Sequence, residues 1–178
     1  MTDGMVRIPS GAFEMGLPDS LADSSLNADL DRTPAHLVKL SAFWLDTFEV
    51  TSTEYQACVA TGDCTPAGSV SGCNGDRSGF GSHPINCVTW EQAASYCAAQ
   101  GKRLPSEAEW ELAARGVEGR TYPWGETTPS SSLVNFADSG LEGTEAVGLR
   151  FGRTPQGVEN LGGNVSEWTA DWYDASYY

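Results

Sequence analysis

A chain of 178 residues, 40% hydrophobic and 19% charged with 20 glycines and six tryptophans, is long enough to bury one hydrophobic core and has the composition of a turn-rich globular domain, not of a helical bundle or a disordered tail. The formal net charge of -14 excludes the basic stripe that counterion release from nucleic acid requires, so no nucleic-acid partner is expected. Its carboxylates either keep the domain soluble or coordinate a hard cation such as calcium, and no apolar stretch reaches the roughly 18 residues needed to cross a bilayer, so no membrane insertion is expected.

In chain order, residues 6–8 and 13–15 are short alternating runs on either side of Pro9, Ser10 and Gly11, a pattern that predicts an opening hairpin. Residues 16–33 turn to Asp, Ser, Leu and Asn without a clear period and read as a surface loop, and residues 37–50 return to strand-like, aromatic-rich sequence. Three helices then announce themselves by one device: a Ser or Thr followed three positions later by Glu or Gln, each satisfying a free amide at the helix start. The pairs are Thr51 with Glu54, Thr89 with Gln92, and Ser106 with Glu109. In the second helix Trp90, Ala93, Ala94, Cys97 and Ala98 share a face assigned to the core, with Gly101 as the stop. The third places Trp110, Ala113 and Ala114 on one side and ends at Gly116. Beyond it the chain is rich in Gly, Thr, Ser, Pro and Asn, with only short strand-like runs at 134–136 and 147–149, and shows neither an internal repeat nor an interdomain linker.

Five cysteines at 58, 64, 73, 87 and 97 are dense for their stretch, and three lie in a Gly/Ser/Asp-rich region suited to small disulfide loops. That points to an oxidising compartment, extracellular or periplasmic. Residues 1–16 show no basic segment followed by an apolar run, so a signal peptide either has been removed or the chain is an internal piece. A metal site on the cysteines is the weaker reading, since no CxxC pair with an accompanying histidine occurs. His36 and His83, each near a proline, read as hydrogen-bonded turn residues. Arg103 and the glutamates at 107, 109 and 111 read as helix-dipole and i,i+4 partners rather than an acid/base array. Most of the six tryptophans are expected in the core, with one or two near the end edging a cleft.

From His83 the chain runs HPINCVTWEQAASYCAAQGKRLPSEAEWELAARG, followed by YPWG and NLGGNVSEWTADWY. MVRIPSGAFEMG opens the chain, and Pro34 to His36, Phe43 and Glu49 to Thr51 follow in order. This ordered set closely resembles the formylglycine-generating, sulfatase-modifying-factor family over nearly the whole chain. The resemblance implies an irregular α+β fold related to C-type lectins, with few short strands, two to three short helices and many loops, forming a single domain over residues 1–178 that is incomplete at its C-terminus. Enzymes of the family oxidise a sulfatase cysteine to formylglycine with a copper ion held by two cysteines, thiolates being soft ligands suited to Cu(I). In the family those cysteines follow an RGGSW-like motif, and the five present here do not match them. Cys97 matches a position whose partner falls in that later part, while Cys58, Cys64, Cys73 and Cys87 resemble a local set of some bacterial relatives in which four could pair.

The resemblance also implies calcium. The side chains of Asn160 and Glu167 and the carbonyls of Gly163 and Val165 match one family site, where alternating side-chain and backbone oxygens can converge on the ion. A second site would begin at Asn135 and the Phe136 carbonyl, with Asp138 the nearest carboxylate in a shortened loop. The expectation is a non-catalytic, calcium-stabilised scaffold that binds a protein or peptide partner, or its own C-terminal segment as a separate chain. The alternative is the larger part of a copper-dependent formylglycine-generating oxidase, holding copper only if that segment supplies the cysteines.

Overall fold

The computed structural model describes residues 4–18, 32–174 and 177; the loop expected over 16–33 falls outside the described residues from 19 to 31. Strands β1 (Met5–Ile8), β2 (Gly11–Met15), β3 (His36–Leu40) and β4 (Phe43–Asp46) are followed by helices α1 (Ser52–Thr61), α2 (Trp90–Ala99) and α3 (Glu107–Arg115) and a 3₁₀ turn at Ala137–Ser139. The rest of the described chain is loop.

The two opening strands are present, but they do not form a hairpin with each other. β1 pairs antiparallel with β4, and β2 with β3. Ile8 faces Phe43 and Gly11 faces Leu40, so one register runs through both ladders, interrupted at residues 9–10 opposite 41–42. The cause is local: Pro9 has no N–H to give to a ladder. A single long ribbon is therefore bent in the middle. The runs at 134–136 and 147–149 join no ladder among the described residues.

All three helix starts carry the reciprocal capping box, with Thr51, Thr89 and Ser106 as N-caps. α3 closes at Gly116, whose φ of 66° suits glycine, and its last carbonyls are capped from beyond: the buried guanidinium of Arg120 donates to the carbonyls of Ala113 and Ala114. α3 buries Leu112, Ala113 and Ala114 against Ile8, Phe13 and Met15 of the ribbon and against Val158 and Leu161. The alanines let the helix approach the strands closely. Glu111 accepts from the Gly16 amide at 2.9 Å and Arg115 donates to the Gly16 carbonyl at 3.1 Å, fastening the end of β2 to α3.

A second cluster joins α1 to α2 through Tyr55 and Tyr96, whose rings stack at 5.6 Å. Two disulfides, Cys58–Cys64 and Cys73–Cys87, bracket this cluster, and Cys97 is a free thiol. The face of α2 assigned to the core is not buried. Tyr96 is its only buried side chain, Ala98 is exposed, and Trp90, Ala93, Ala94 and Cys97 are half-buried. None of the six tryptophans is fully buried either: Trp44, Trp168 and Trp172 are exposed and Trp90, Trp110 and Trp124 half-buried. For Ala93, Cys97, Trp44, Trp110 and Trp168 the reason is an open groove that they line; Trp90 instead stacks on Trp172, and Trp124 on Tyr122.

Arg103 and Glu109 form a two-bonded pair at 2.6 Å, and Glu109 also accepts from the Ser106 amide at the start of α3. The Arg103 hydrogen bonds hold the Glu109 carboxyl below the usual carboxylate range. A group so depressed stabilises the fold at pH above its unfolded value of about 4.3 and loses that contribution as pH falls through its folded value. Because Arg103 is mostly exposed, Glu109→Gln is expected to cost only about 1 kcal/mol at pH 7. Urea unfolding should show that deficit unchanged down to pH 5 and shrinking toward zero below pH 4.

Candidate calcium loop and open groove

Residues 160–167 form a compact loop beside the ribbon. Asn160 and Asn164 both take the left-handed conformation, with φ of 62° and 68°, which asparagine tolerates better than other non-glycine residues. The loop closes on itself through the Gly163 amide to the Asn160 carbonyl and the Val165 amide to the Gly163 carbonyl, both at 2.9 Å.

Glu49, just beyond β4, holds this loop. Its two carboxylate oxygens accept from the side-chain amides of Asn160, at 2.8 Å, and Asn164, at 3.0 Å. Burial raises the Glu49 carboxyl above its ordinary value, while those amide bonds favour the charged form and neighbouring Glu159 opposes it. With the Asn160 nitrogen committed to Glu49, its amide oxygen points the opposite way and has a free acceptor role. Asn164 is a clip: besides Glu49, it receives the Glu145 amide at 2.9 Å and the Asn135 side-chain amide at 3.4 Å, donates to the Glu145 carbonyl at 3.2 Å, and gives its backbone N–H to the Asn135 carbonyl at 2.8 Å.

The oxygens expected to bind calcium are thus brought into one loop, and the donor set is hard and oxygen-only, which suits the ion. The Glu167 carboxylate accepts from the Trp110 indole N–H, leaving its other oxygen uncommitted. Crowding pushes the Glu167 carboxyl up to about 7, with the Trp110 bond pulling it down and the Glu49 charge adding to the rise. The residue keeps solvent access, which softens that penalty. The second expected set lies back to back with the first. Asn135 is buried, its amide donates to the Gly143 carbonyl at 2.9 Å, and its side-chain oxygen accepts from the Ser139 hydroxyl at 2.9 Å. The Phe136 carbonyl accepts the Ser139 amide, and Asp138 is exposed.

The groove opens beside this loop. About 620 Å³ in volume, it is lined by Phe43, Trp44 and Phe48 on the ribbon side, by Tyr96 and Cys97 of α2, and by Trp168. Three indole N–H groups pin residues 167–169 across the starts of the helices: Trp168 to the Val88 carbonyl at 3.0 Å, Trp90 to the Thr169 carbonyl at 2.7 Å, and Trp110 to Glu167. Just beyond, the Ala170 amide reaches the Pro105 carbonyl at 2.8 Å, and Asp171 accepts from the Glu107 amide at the start of α3 at 2.6 Å. His36 and His83 take the structural roles expected of them, beside the Pro34 carbonyl at 3.3 Å and the Thr144 hydroxyl at 2.9 Å. Sequence reasoning gave no site role to Glu49 or Asn164 and assigned Trp90 and Trp110 to core-facing helix faces, while Trp168 is a late tryptophan that edges the cleft as expected. The N-x-x-x-N spacing of Asn160 and Asn164 was the one available signal, since two asparagines around Gly-Gly invite left-handed turns.

The model of the sulfatase-modifying factor enzyme 1-like domain matches residues 1–178. The chain belongs to the sulfatase-modifying-factor family. Within that family it is 34% identical over 229 aligned positions to the formylglycine-generating enzyme of Streptomyces coelicolor, covering 99% of this chain and 71% of that one. A 103-residue alignment, 52% of this chain and 34% of its counterpart, is 40% identical to the inactive Cα-formylglycine-generating enzyme 2 of Bos taurus. Among solved structures, PvdO from Pseudomonas aeruginosa superposes with a TM-score of 0.77 at 28% identity, covering 97% of this chain and 72% of PvdO. The irregular α+β fold expected from the sequence is therefore the fold of the family.

A Cβ built on Gly163 would lie 2.2 Å from the Asn135 carbonyl and 2.7 Å from Val134. The obstructing carbonyl is backbone and cannot swing aside. Gly163→Ala is expected to destabilise the domain by about 2 kcal/mol through overpacking, whereas Ser166→Ala, at an exposed position, should stay within about 0.5 kcal/mol; thermal unfolding of the two variants measures the difference.

Proposed function

We propose that this chain is a non-catalytic, calcium-stabilised binding scaffold of the sulfatase-modifying-factor family, whose groove receives a protein or peptide segment. The observation that carries the reading is the groove itself, an apolar channel bordered by exposed aromatic side chains and set against a loop with calcium-type donors. Calcium is assigned to Asn160, Gly163, Val165 and Glu167, with Glu49 orienting Asn160. Asn135, the Phe136 carbonyl and Asp138 form the second proposed set, each of the two carbonyl-type oxygens of Asn135 and Phe136 keeping a lone pair beyond its bond from Ser139. When bound, calcium supplies charge that locks the two loops together. The partner is a protein or peptide, the domain's own C-terminal segment as a separate chain among them. The two disulfides support an oxidising compartment.

Copper chemistry does not fit the thiols of this chain. Four of its cysteines are tied up in disulfides and the fifth, Cys97, stands alone with its thiol pushed up by burial, so no thiolate pair is available for Cu(I). No oxidase step is derived for it. The inactive bovine relative offers a precedent for this fold region without the activity.

Calcium at a hundredfold excess over its dissociation constant should add about 2.7 kcal/mol of stability, a rise of roughly 5–10 °C in the melting temperature for a domain of this size. Asn160→Ala and Glu167→Gln should abolish most of the rise. A melt that excess chelator leaves unchanged would remove calcium from the proposal. For the catalytic question, the chain is incubated with Cu(I), oxygen and a Cys-x-Pro-x-Arg peptide, and mass spectrometry looks for the aldehyde; none is expected, and product formed by this chain alone would sink the non-catalytic reading.

A further inference from the structure

Besides the groove, the protein has a second cavity of about 760 Å³, lined in part by residues 85–88 and 163–168. Ile85, Val88 and Trp168 line both spaces. Their common wall is therefore the segment 85–88 with the Trp168 ring, whose indole N–H rests on the Val88 carbonyl at 3.0 Å. Within that wall sits Cys87, one half of the Cys73–Cys87 bridge.

Two observations set Cys87 apart. Of the four bridged cysteines it alone is exposed, whereas Cys58, Cys64 and Cys73 are 4%, 7% and 4% exposed. It also has a φ of 56°, and the other non-glycine residues with positive φ among those described are Asn160 and Asn164. Asparagine eases that conformation by local hydrogen bonding and cysteine does not, so Cys87 is kept there by its connections. Hydrogen bonds clasp the chain just before it: the Asn74 side-chain amide reaches the Pro84 carbonyl at 2.9 Å, and the Asn86 side chain joins the Asn74 amide at 2.7 Å to the Gly72 carbonyl at 2.9 Å. On Cys87 itself act the disulfide and the Gly68 amide, 2.9 Å from its carbonyl.

We propose that the Cys73–Cys87 bridge is a reducible latch on the Trp168 wall, opened by a dithiol. Exposure decides where attack falls, because thiol–disulfide exchange needs access to a sulfur. A thiolate of the dithiol bonds to Cys87 Sγ, the S–S bond breaks, and Cys73 leaves as a thiolate and takes a proton. The second thiol of the reductant then displaces Cys87 from the mixed disulfide. Two protein thiols and one oxidised dithiol result, a transfer of two electrons and two protons. The clasp through Asn74 and Asn86 keeps the loop folded, while Cys87 relaxes to negative φ and turns the Val88 carbonyl away from Trp168. Reduction thereby loosens the wall common to both cavities, whatever either of them binds.

The test treats the full folded chain with dithiothreitol, quenches by alkylation and maps the labelled cysteines by mass spectrometry. Cys73 and Cys87 are expected to open together, at least about tenfold faster than Cys58 and Cys64. Glutathione, a monothiol, should be trapped on Cys87 and not on Cys73. Proton NMR follows the indole N–H signals, with Trp168→Phe identifying the one concerned. On reduction the Trp168 signal should shift and exchange with solvent at least about tenfold faster, while that of Trp124, bound to the Thr127 carbonyl, stays in place. Cys73→Ser with Cys87→Ser should reproduce the reduced signal. Cys73→Ser with Cys87→Gly should keep the bridged one, since glycine accepts the left-handed conformation. Opening of Cys58–Cys64 as fast or faster, glutathione on Cys73, or an unmoved Trp168 signal overturns the proposal, and so does a glycine variant that matches the serine variant. Should either double variant not fold, reduction of the wild type decides by itself.

Discussion

The site is organised by one half-buried carboxylate. Glu49 leaves the ribbon just after β4 and accepts an amide proton from each of two asparagines that sit in the left-handed conformation four residues apart. That pair of charge-assisted bonds fixes the two reversals of the loop at 160–167, while Leu161 in the apolar core and the Glu159 amide on the Thr47 carbonyl hold its start against the ribbon. Through Asn164 the same anchor reaches Glu145 and the Asn135 carbonyl, so the ribbon, the 160–167 loop and the 135–145 loop are one connected polar unit. A network like this specifies geometry because each buried member is satisfied by the next.

The two halves of the molecule are stabilised differently. The ribbon and α3 form an apolar core of conventional kind, with alanines on the helix allowing close approach to Ile8, Phe13 and Met15. The α1–α2 half relies on a tyrosine stack and two short disulfide loops, a sensible substitute where little apolar volume is enclosed. Between them the groove is left open, and its aromatic side chains are held by their polar edges: Trp90, Trp110 and Trp168 each spend an indole N–H on the segment at 167–169. The Trp90 ring stacks on Trp172 and Trp110 packs against the ribbon–α3 core, while Trp168 stays exposed.

A fold built mostly of loops is held together by contacts between distant segments. Short helices with reciprocal caps, an interrupted ribbon and asparagine-bracketed turns each contribute little alone. They are fastened by bonds between distant segments, such as Gly16 to Glu111 and Trp168 to Val88, which restrict loops without regular secondary structure.

The amino-acid sequence by itself determined what depends on neighbours along the chain. The three capping boxes are i,i+3 relations and the stop at Gly116 is a single-residue preference; both were legible because the partners lie within about a turn of chain, whereas the sequence left the cysteine pairing open and the structure decided Cys58–Cys64 and Cys73–Cys87. The family resemblance, carried by contiguous motifs, was legible for the same reason. Only the tertiary structure decided the pairing of β1 with β4 and β2 with β3, since alternation marks a strand without naming its partner. It also decided that the α2 face with Ala93, Tyr96 and Cys97 lines a groove: periodicity reports that a face is apolar, not what covers it. The role of Glu49 was equally invisible, because its donors are brought from more than a hundred residues away.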